Sequence, residues 1–426
     1  MNPFSSSEKK VCIIGAGPLG LSAAYYLLRA KNRRFNVTIL EASADAGGLA
    51  GSHTLENGQC IEAYYHHIFS SDHFFLSLCK DLGIYSKVKF RKASIGHLID
   101  SSLYSLSGPV DILTSSLLSP LNRLRFILVS IYLKSGIEKL FLGQTALHGS
   151  LKLYGSECTY RIWQPLLVGK YSNYSDMVPM SWLAARIRDR SIKLGYIDGG
   201  FDKFYKKLIH ECKSLGAYMR YNKPVDSPYL EQNKVIIDGE SYDACLSTIG
   251  PLNESLAHFP FPDSNVRFLG AICVVYEINR DPGIPYWTNI CDPNSPVLAV
   301  INHRKLDCST RFDNIYPVYS AAYVLPDADL FSLGDSELIT SFFIPIQNLF
   351  KVNKNSQELS YDRATVYRTR YAQPVINPDI GLPPVMQIEG PLYKASMHSI
   401  YPNDRGQNYA IELGKRIALK ITKDLH

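Results

Sequence analysis

The chain has no cysteine framework. Its nine cysteines, scattered from Cys12 to Cys308, are odd in number and form no Cys-x-x-Cys pair. The spacing of zinc ribbons and dithiol redox motifs is missing, so no metal site is expected, and reduced thiols in a cytoplasmic protein are. No apolar run reaches the roughly 18–20 residues that a bilayer-spanning helix needs. The nearest is Phe126–Leu133, FILVSIYL, flanked by Arg123, Arg125 and Lys134. A buried helix of a substrate domain is the expected reading, with peripheral membrane contact as the alternative. Runs of basic residues are absent as well. The net charge of +6, from 45 basic and 39 acidic residues, is mild. It suits an anionic cofactor or substrate and argues against a nucleic-acid partner. Repeats and low-complexity segments are also missing. Lys9 and Lys10 precede an apolar run as in a signal peptide, but Gly15, Gly17 and Pro18 break that run, so it reads as a first strand.

What remains is an ordinary globular composition, 46% hydrophobic and 20% charged over 426 residues. That length implies two or three domains, or one domain with a large insertion. Tyrosine is abundant, at 28 residues. Such side chains line pockets for flat, amphipathic ligands as well as filling cores.

The motif with the clearest chemistry is Val11–Gly20, VCIIGAGPLG, followed by VTILE at Val37–Glu41. It reads as strand, glycine turn, helix, strand and acid. Gly15 serves the tight turn, Gly17 the close approach of backbone to a pyrophosphate, and Gly20 the packing of helix on sheet. Pro18 and Leu19 open the helix, whose N-terminus attracts phosphate. Glu41 lies 21 residues beyond Gly20, where an acid accepts hydrogen bonds from a ribose. Ala42 begins a small-residue loop that carries the Gly47-Gly48 doublet and Leu49.

Farther along, 93–107 suggests a hairpin and 110–190 reads as helical, interrupted at Trp163–Leu167. A Gly199-Gly200 pair precedes an amphipathic helix. Ala217–Val225 and Lys234–Ile237 look like short strands, and Tyr242–Gly250 like a buried one. Residues 266–326 and 360–375 alternate as strands, with a helix at Ser336–Phe350 between them. After Pro391 the α/β pattern returns. In SIYPNDRGQNYAIELGKR, a turn containing Asp404 leads into a helix starting near Gln407 or Asn408. Ala410, Gly414 and Ala418 give that helix a small face. The expected fold is α/β: a Rossmann-type nucleotide-binding domain built from 1–108, 191–255 and 391–426. It is interrupted by a helical cap at 109–190 and a β-rich substrate domain at 256–390.

GAGPLG, Glu41, the ASADAGGLAGS loop and YPNDRGQNYAIELG together resemble the FAD-dependent amine oxidase, protoporphyrinogen oxidase and phytoene desaturase superfamily. The resemblance covers 8–70, 190–250 and 391–420 and fades in both insertions. It implies noncovalent FAD. Gly15, Gly17 and Gly20 would carry the pyrophosphate and Glu41 the adenosine ribose. Gly47, Gly48 and Leu49 would pass beneath the flavin and ribityl chain. The Val225 backbone would meet the adenine, Asp404 the ribityl chain or pyrophosphate, and Gln407, Asn408 and Tyr409 the flavin pyrimidine edge.

On the working face, His66 and His67 are candidate proton carriers. They would project to opposite sides if their segment is extended. Tyr65, Trp163, Arg304, Arg370 and Tyr371 are candidate substrate contacts, as are Arg161, Lys170, Tyr171, Tyr196 and Arg368. No lysine is assigned as the water-activating residue of an amine oxidase. Hydride removal from a C–C or C–N bond of a small, partly apolar molecule is the expected reaction. His67-Ile68-Phe69 also resembles UDP-galactopyranose mutases, which keeps a sugar mutase in cell-envelope glycan synthesis as an alternative. A third reading is a catalytically inert FAD-binding assembly protein. The oligomeric state is left open.

Overall fold

In Lys9–Ile14 and Phe35–Leu40 the last four residues are buried in succession. Such runs belong to parallel strands covered on both faces. The computed structural model, which describes residues 8–31, 34–225, 228–249, 266–352, 358–378 and 385–425, places these two strands side by side and parallel. They sit in a sheet ordered Tyr218–Arg220, Phe35–Leu40, Lys9–Ile14, Ala244–Ser247, Leu392–Lys394, Gln387–Glu389. All neighbours are parallel except the last pair. Strands from three distant segments therefore rejoin one sheet. Val11 and Ile13 face a core shared with helices Pro18–Leu28, Asp202–Ser214 and Gln407–Asp424. Cys12 and Ile14 face the opposite side, onto a three-stranded meander at 229–242. The period-two alternation of the strand thus separates two cores.

A second, seven-stranded sheet runs Arg363–Val375, Arg267–Ile278, Tyr316–Val324, Ala299–Asn302, Trp287–Ile290, Ile95–Ile99, Ser102–Ser105. One face, with Ile272, Val274 and Tyr276, packs on the helix Asp335–Val352. The other, with Cys273, Val275 and Tyr319, joins the nucleotide-side core. The hairpin at 95–105, counted above with the first nucleotide segment, hydrogen-bonds into this second sheet instead. Its Ile95–Ile99 strand pairs parallel to Trp287–Ile290. The expected domain boundary at 255/256 and the Gly250 end of a strand lie outside the described residues. The 217–225 strand is shorter than expected, at Tyr218–Arg220.

The helical cap differs from expectation twice. Trp163–Leu167 does not interrupt the helical run, because Thr159–Trp163 form a π-turn that leads directly into Gln164–Tyr171. Pro165 lies just past that π-turn, the kind of local irregularity at which a helix accommodates a proline. Nor is Phe126–Leu133 a buried helix. In Pro120–Leu133 only Phe126 and Leu133 are buried, packed in the core with Tyr154 and Trp163. Leu121, Leu124, Leu128 and Ile131 are exposed on the surface, Leu121 by 77%. The apolar residues run around the helix, whereas only one face meets a partner. Among the described residues no helix is long and apolar enough to cross a membrane.

Candidate functional site

Between the two sheets and the helical cap lies one cavity of about 830 Å³, within the size range of ligand sites. Its nucleotide end is built by the first turn. Gly15 has φ +98° and donates its N–H to the Leu40 carbonyl at 2.8 Å. A Cβ there would strike the Thr248 hydroxyl. At Gly20 it would strike the Gly15 carbonyl and come within 3.2 Å of Ile13 Cγ2. At Gly17 it would meet nothing within 4 Å. Gly17 is the cap of the helix Pro18–Leu28, with proline in its first turn and no side-chain cap. The N–H groups of that turn therefore face open space, a cradle shaped for an anion.

Gly15, Gly17, Pro18, Leu19, Glu41 and Ala42 all line the cavity. Gly20 does not, consistent with its place against the sheet. Glu41 accepts from Ala16 N–H at 2.8 Å and from Ser43 N–H at 2.9 Å. These bonds fix the carboxylate at the strand end and leave each oxygen a second acceptor site. Gly48 and Leu49 line the cavity, while Gly47, at φ +128°, makes the turn behind them and donates to the Ala16 carbonyl at 3.0 Å. Val225 lines it from beyond Glu41.

The terminal helix closes the site from another side. A Cβ at Gly414 would collide with Ser22 and the Leu19 carbonyl, so two helices cross where both backbones are bare. Asn408 Oδ1 accepts from the N–H groups of Phe74 and Phe75, at 2.9 and 3.1 Å, and so caps the helix His73–Asp81. The Tyr409 hydroxyl donates to Asp189 at 2.6 Å. Gln407 Oε1 accepts from Tyr205 at 2.7 Å, but Gln407 Nε2 is buried with no partner. All three residues line the cavity. An orphaned donor, an open glycine cradle and a ribose-height carboxylate in one cavity fit a bound dinucleotide.

Asp404, expected at the ribityl chain or pyrophosphate, lines the cavity and is there the counter-ion of two cations. Its carboxylate accepts from Lys170 Nζ at 3.2 Å, from Trp182 Nε1 at 3.1 Å and from Arg186. Burial, with Arg186, Arg405 and Arg190 around it, pushes the Lys170 ammonium pKa down.

The substrate end is aromatic. Tyr65 stands edge-on to Trp287 at 4.9 Å, and both line the cavity with Trp163. His66 and His67 both line it, in the irregular stretch between the strands Cys60–Glu62 and Ile68–Phe69. His66 Nδ1 lies 2.5 Å from the Tyr64 carbonyl and His67 Nδ1 3.1 Å from the Tyr286 hydroxyl. A carbonyl only accepts, so the His66 Nδ1 carries the proton and its Nε2 is left as an acceptor. Burial lowers the pKa of His66 to about 4; burial, then the neighbouring His66, lowers that of His67 to about 3. Both rings are neutral at pH 7. Asp72, also at the cavity, is raised to about 7 by burial.

Three substrate candidates are not at the cavity. Arg304 lies over Tyr316 and donates to the Asp313 carbonyl at 2.9 Å. Arg370 lies over Phe331 and donates to the Pro326 carbonyl. Tyr371 packs edge-on to Phe268. Arg161 and Arg368 are likewise engaged elsewhere, on the Leu117 carbonyl and on Asp335. Tyr171 and Tyr196 are buried beside the cavity without lining it. The residues that sequence reasoning missed are Trp182, Arg186 and Arg190, spaced four apart on the helix Met180–Asp189 and its end. That spacing puts them on one face and was a legible signal.

Comparison with known proteins agrees with this geometry. The model of the family described as flavin containing amine oxidoreductase matches residues 20–356. A coproporphyrinogen III oxidase from Staphylococcus aureus is 25% identical over 56% of this chain and 60% of its own length. Protoporphyrinogen oxidase 2 of Arabidopsis thaliana is 30% identical over 32% of this chain and 26% of its own length. The chain thus spans less than two thirds of either relative's length. A structure of reduced UDP-galactopyranose mutase shares the fold, with TM-score 0.71, 14% identity, and 97% and 94% of the two chains covered. With a mixed α/β architecture, a dinucleotide cradle and a family match across most of its length, the chain belongs to the flavin-containing amine oxidoreductases.

Proposed function

We propose that the chain binds FAD noncovalently and removes a hydride from a C–C or C–N bond of a small, partly apolar substrate. The observation that carries this reading is the continuity of one cavity from Gly17 and Glu41 to Trp163 and Trp287. When bound, the flavin supplies the hydride acceptor. The protein's part is to hold both partners and handle protons. Tyr65, Trp163 and Trp287 orient a flat apolar body. His66 Nε2, neutral and unprotonated, takes a proton from a donor carbon or nitrogen. The low proton affinity of both histidines means that they relay protons rather than store them. Two of the relatives are named for the oxidation of porphyrinogens, which have C–C and C–N bonds of this kind.

The mutase reading is weaker. It draws on His67-Ile68-Phe69 and the shared fold, but a diphosphate clamp needs two free cap arginines. Arg186 is already paired with Asp404. An inert assembly protein would have no use for two histidines at the cavity. Peripheral membrane contact through Leu121, Leu124, Leu128 and Ile131 is part of the proposal, supported by their exposure on one helical face.

An anaerobic substrate screen that follows bleaching of the bound flavin tests the reaction. Bleaching by a reduced, flat substrate is the expected result. Turnover only after pre-reduction, without net redox, favours the mutase. A colourless protein that rejects added FAD sinks the whole proposal.

A further inference from the structure

The cations around the cavity are nearly all spent. Lys170 and Arg186 share Asp404. Arg188 is held by Glu138, Asp189 and Asn403. Arg405 donates to Gln373 at 3.0 Å and to Tyr323. Arg190 is different. It follows the cap helix, lines the cavity and is exposed. Among the described residues no hydrogen bond or ion pair reaches its guanidinium. Its carbonyl accepts from Lys134 Nζ at 2.5 Å, so the backbone is fixed while the side chain has no counter-ion. A guanidinium open to the cavity and without a counter-ion is a site that an anionic group can fill.

We propose that Arg190 anchors an acidic group, carboxylate or phosphate, carried by an otherwise apolar substrate. This rests on the cavity reading of the preceding section. The pyrophosphate cradle is formed by Gly15, Gly17 and the start of the helix Pro18–Leu28, whereas Arg190 follows the cap helix Met180–Asp189. The guanidinium presents two parallel N–H groups to an oxyanion, which fixes orientation as well as affinity. Removal from water, with Arg186 nearby, pushes its pKa down to about 9, still charged at pH 7. With the acid held there, the apolar body of the substrate extends along Trp163, Leu183 and Trp287 toward His67.

The test uses the FAD-loaded full chain and three probes of one shape: 2-naphthoate, 2-naphthyl phosphate and neutral 2-naphthalenemethanol. Binding is read from perturbation of the flavin absorbance spectrum. At least one acidic probe should bind the wild type tenfold or more tighter than the alcohol, and which one identifies the group. Arg190→Met should erase that preference while leaving alcohol binding and the flavin content unchanged. Arg190→Lys should keep part of it. Equal binding of acids and alcohol by the wild type, or an undiminished preference in Arg190→Met, overturns the proposal. Loss of FAD from both variants would also overturn it, since Arg190 would then serve the cofactor. A wild-type chain that takes no FAD overturns the cavity reading beneath it, a distinct outcome.

Discussion

At the scale of single residues, Gly17 and Glu62 make the sharpest demands. Gly17 has room for a side chain in the protein alone, so the constraint on it comes from what binds there. Gly17→Val should leave the fold intact, with a melting temperature within a few degrees of wild type, and abolish FAD retention measured by absorbance after gel filtration. Retention of flavin by the variant would refute the cradle.

Glu62 was not singled out by its sequence context. It is 1% exposed, and its carboxylate accepts from Tyr196 at 2.9 Å and from the Phe201 N–H at 3.0 Å. Burial nonetheless raises its pKa from 4.5 to about 7. The folded state therefore holds this proton more tightly than the unfolded chain. Stability from this group is full below pH 4.5 and is lost as pH rises through 7, by roughly 3 kcal/mol at 1.36 kcal/mol per pKa unit. Glu62→Gln mimics the neutral acid. Its stability relative to wild type should rise between pH 5 and pH 8 in urea titrations. A flat difference would mean that Glu62 is ionised throughout.

At the scale of elements, one helix follows its sequence pattern and another departs from it. The terminal helix was legible, because its small residues recur every four positions. Gly414 is where this matters. Gly414→Leu drives a side chain into Ser22 and the Leu19 carbonyl and should cost about 1–3 kcal/mol, with loss of flavin as the cradle helix shifts. Equal stability and flavin content would show that the two helices can separate freely.

The cap helix Pro120–Leu133 was misread, because an apolar run does not say how many of its faces meet a partner. Leu121→Ser, Leu124→Ser and Leu128→Ser together should leave thermal stability almost unchanged, since these side chains are exposed. They should also reduce sedimentation with anionic phospholipid vesicles severalfold. No sedimentation of the wild type would exclude the membrane contact. The arginines on Arg363–Val375 illustrate another limit. Arg370 falls on the pleat face opposite Tyr367 and Gln373. Only the register with Arg267–Ile278, bulged between Leu269 and Ala271, decides which face meets the cavity.

At the scale of the whole molecule, the nucleotide end was readable because its chemistry is local. A turn, a helix start and an acid follow one another within about 30 residues, a βαβ unit. The substrate end was not, because it is assembled from side chains far apart in sequence. Trp163, Arg190, Trp287 and His67 share one wall only after three segments fold together. Flavin should therefore stabilise the whole chain as a ligand of the native state. Free FAD at 100 times its dissociation constant should add about 2.7 kcal/mol, seen as a rise in melting temperature with FAD concentration. A melting temperature independent of FAD would contradict a site built from the entire fold.

The central sheet orders Tyr218–Arg220, Lys9–Ile14 and Leu392–Lys394 within six strands. Chains are made from one end, so Leu392–Lys394, the strand beside Ala244–Ser247, leaves the ribosome long after the first βαβ unit. Until it and the helix Gln407–Asp424 emerge, Ala244–Ser247 waits with one edge unpaired and the cradle stays unroofed. Cofactor capture then follows the synthesis of that helix. A cell short of flavin would accumulate folded but empty chains, not stalled ones.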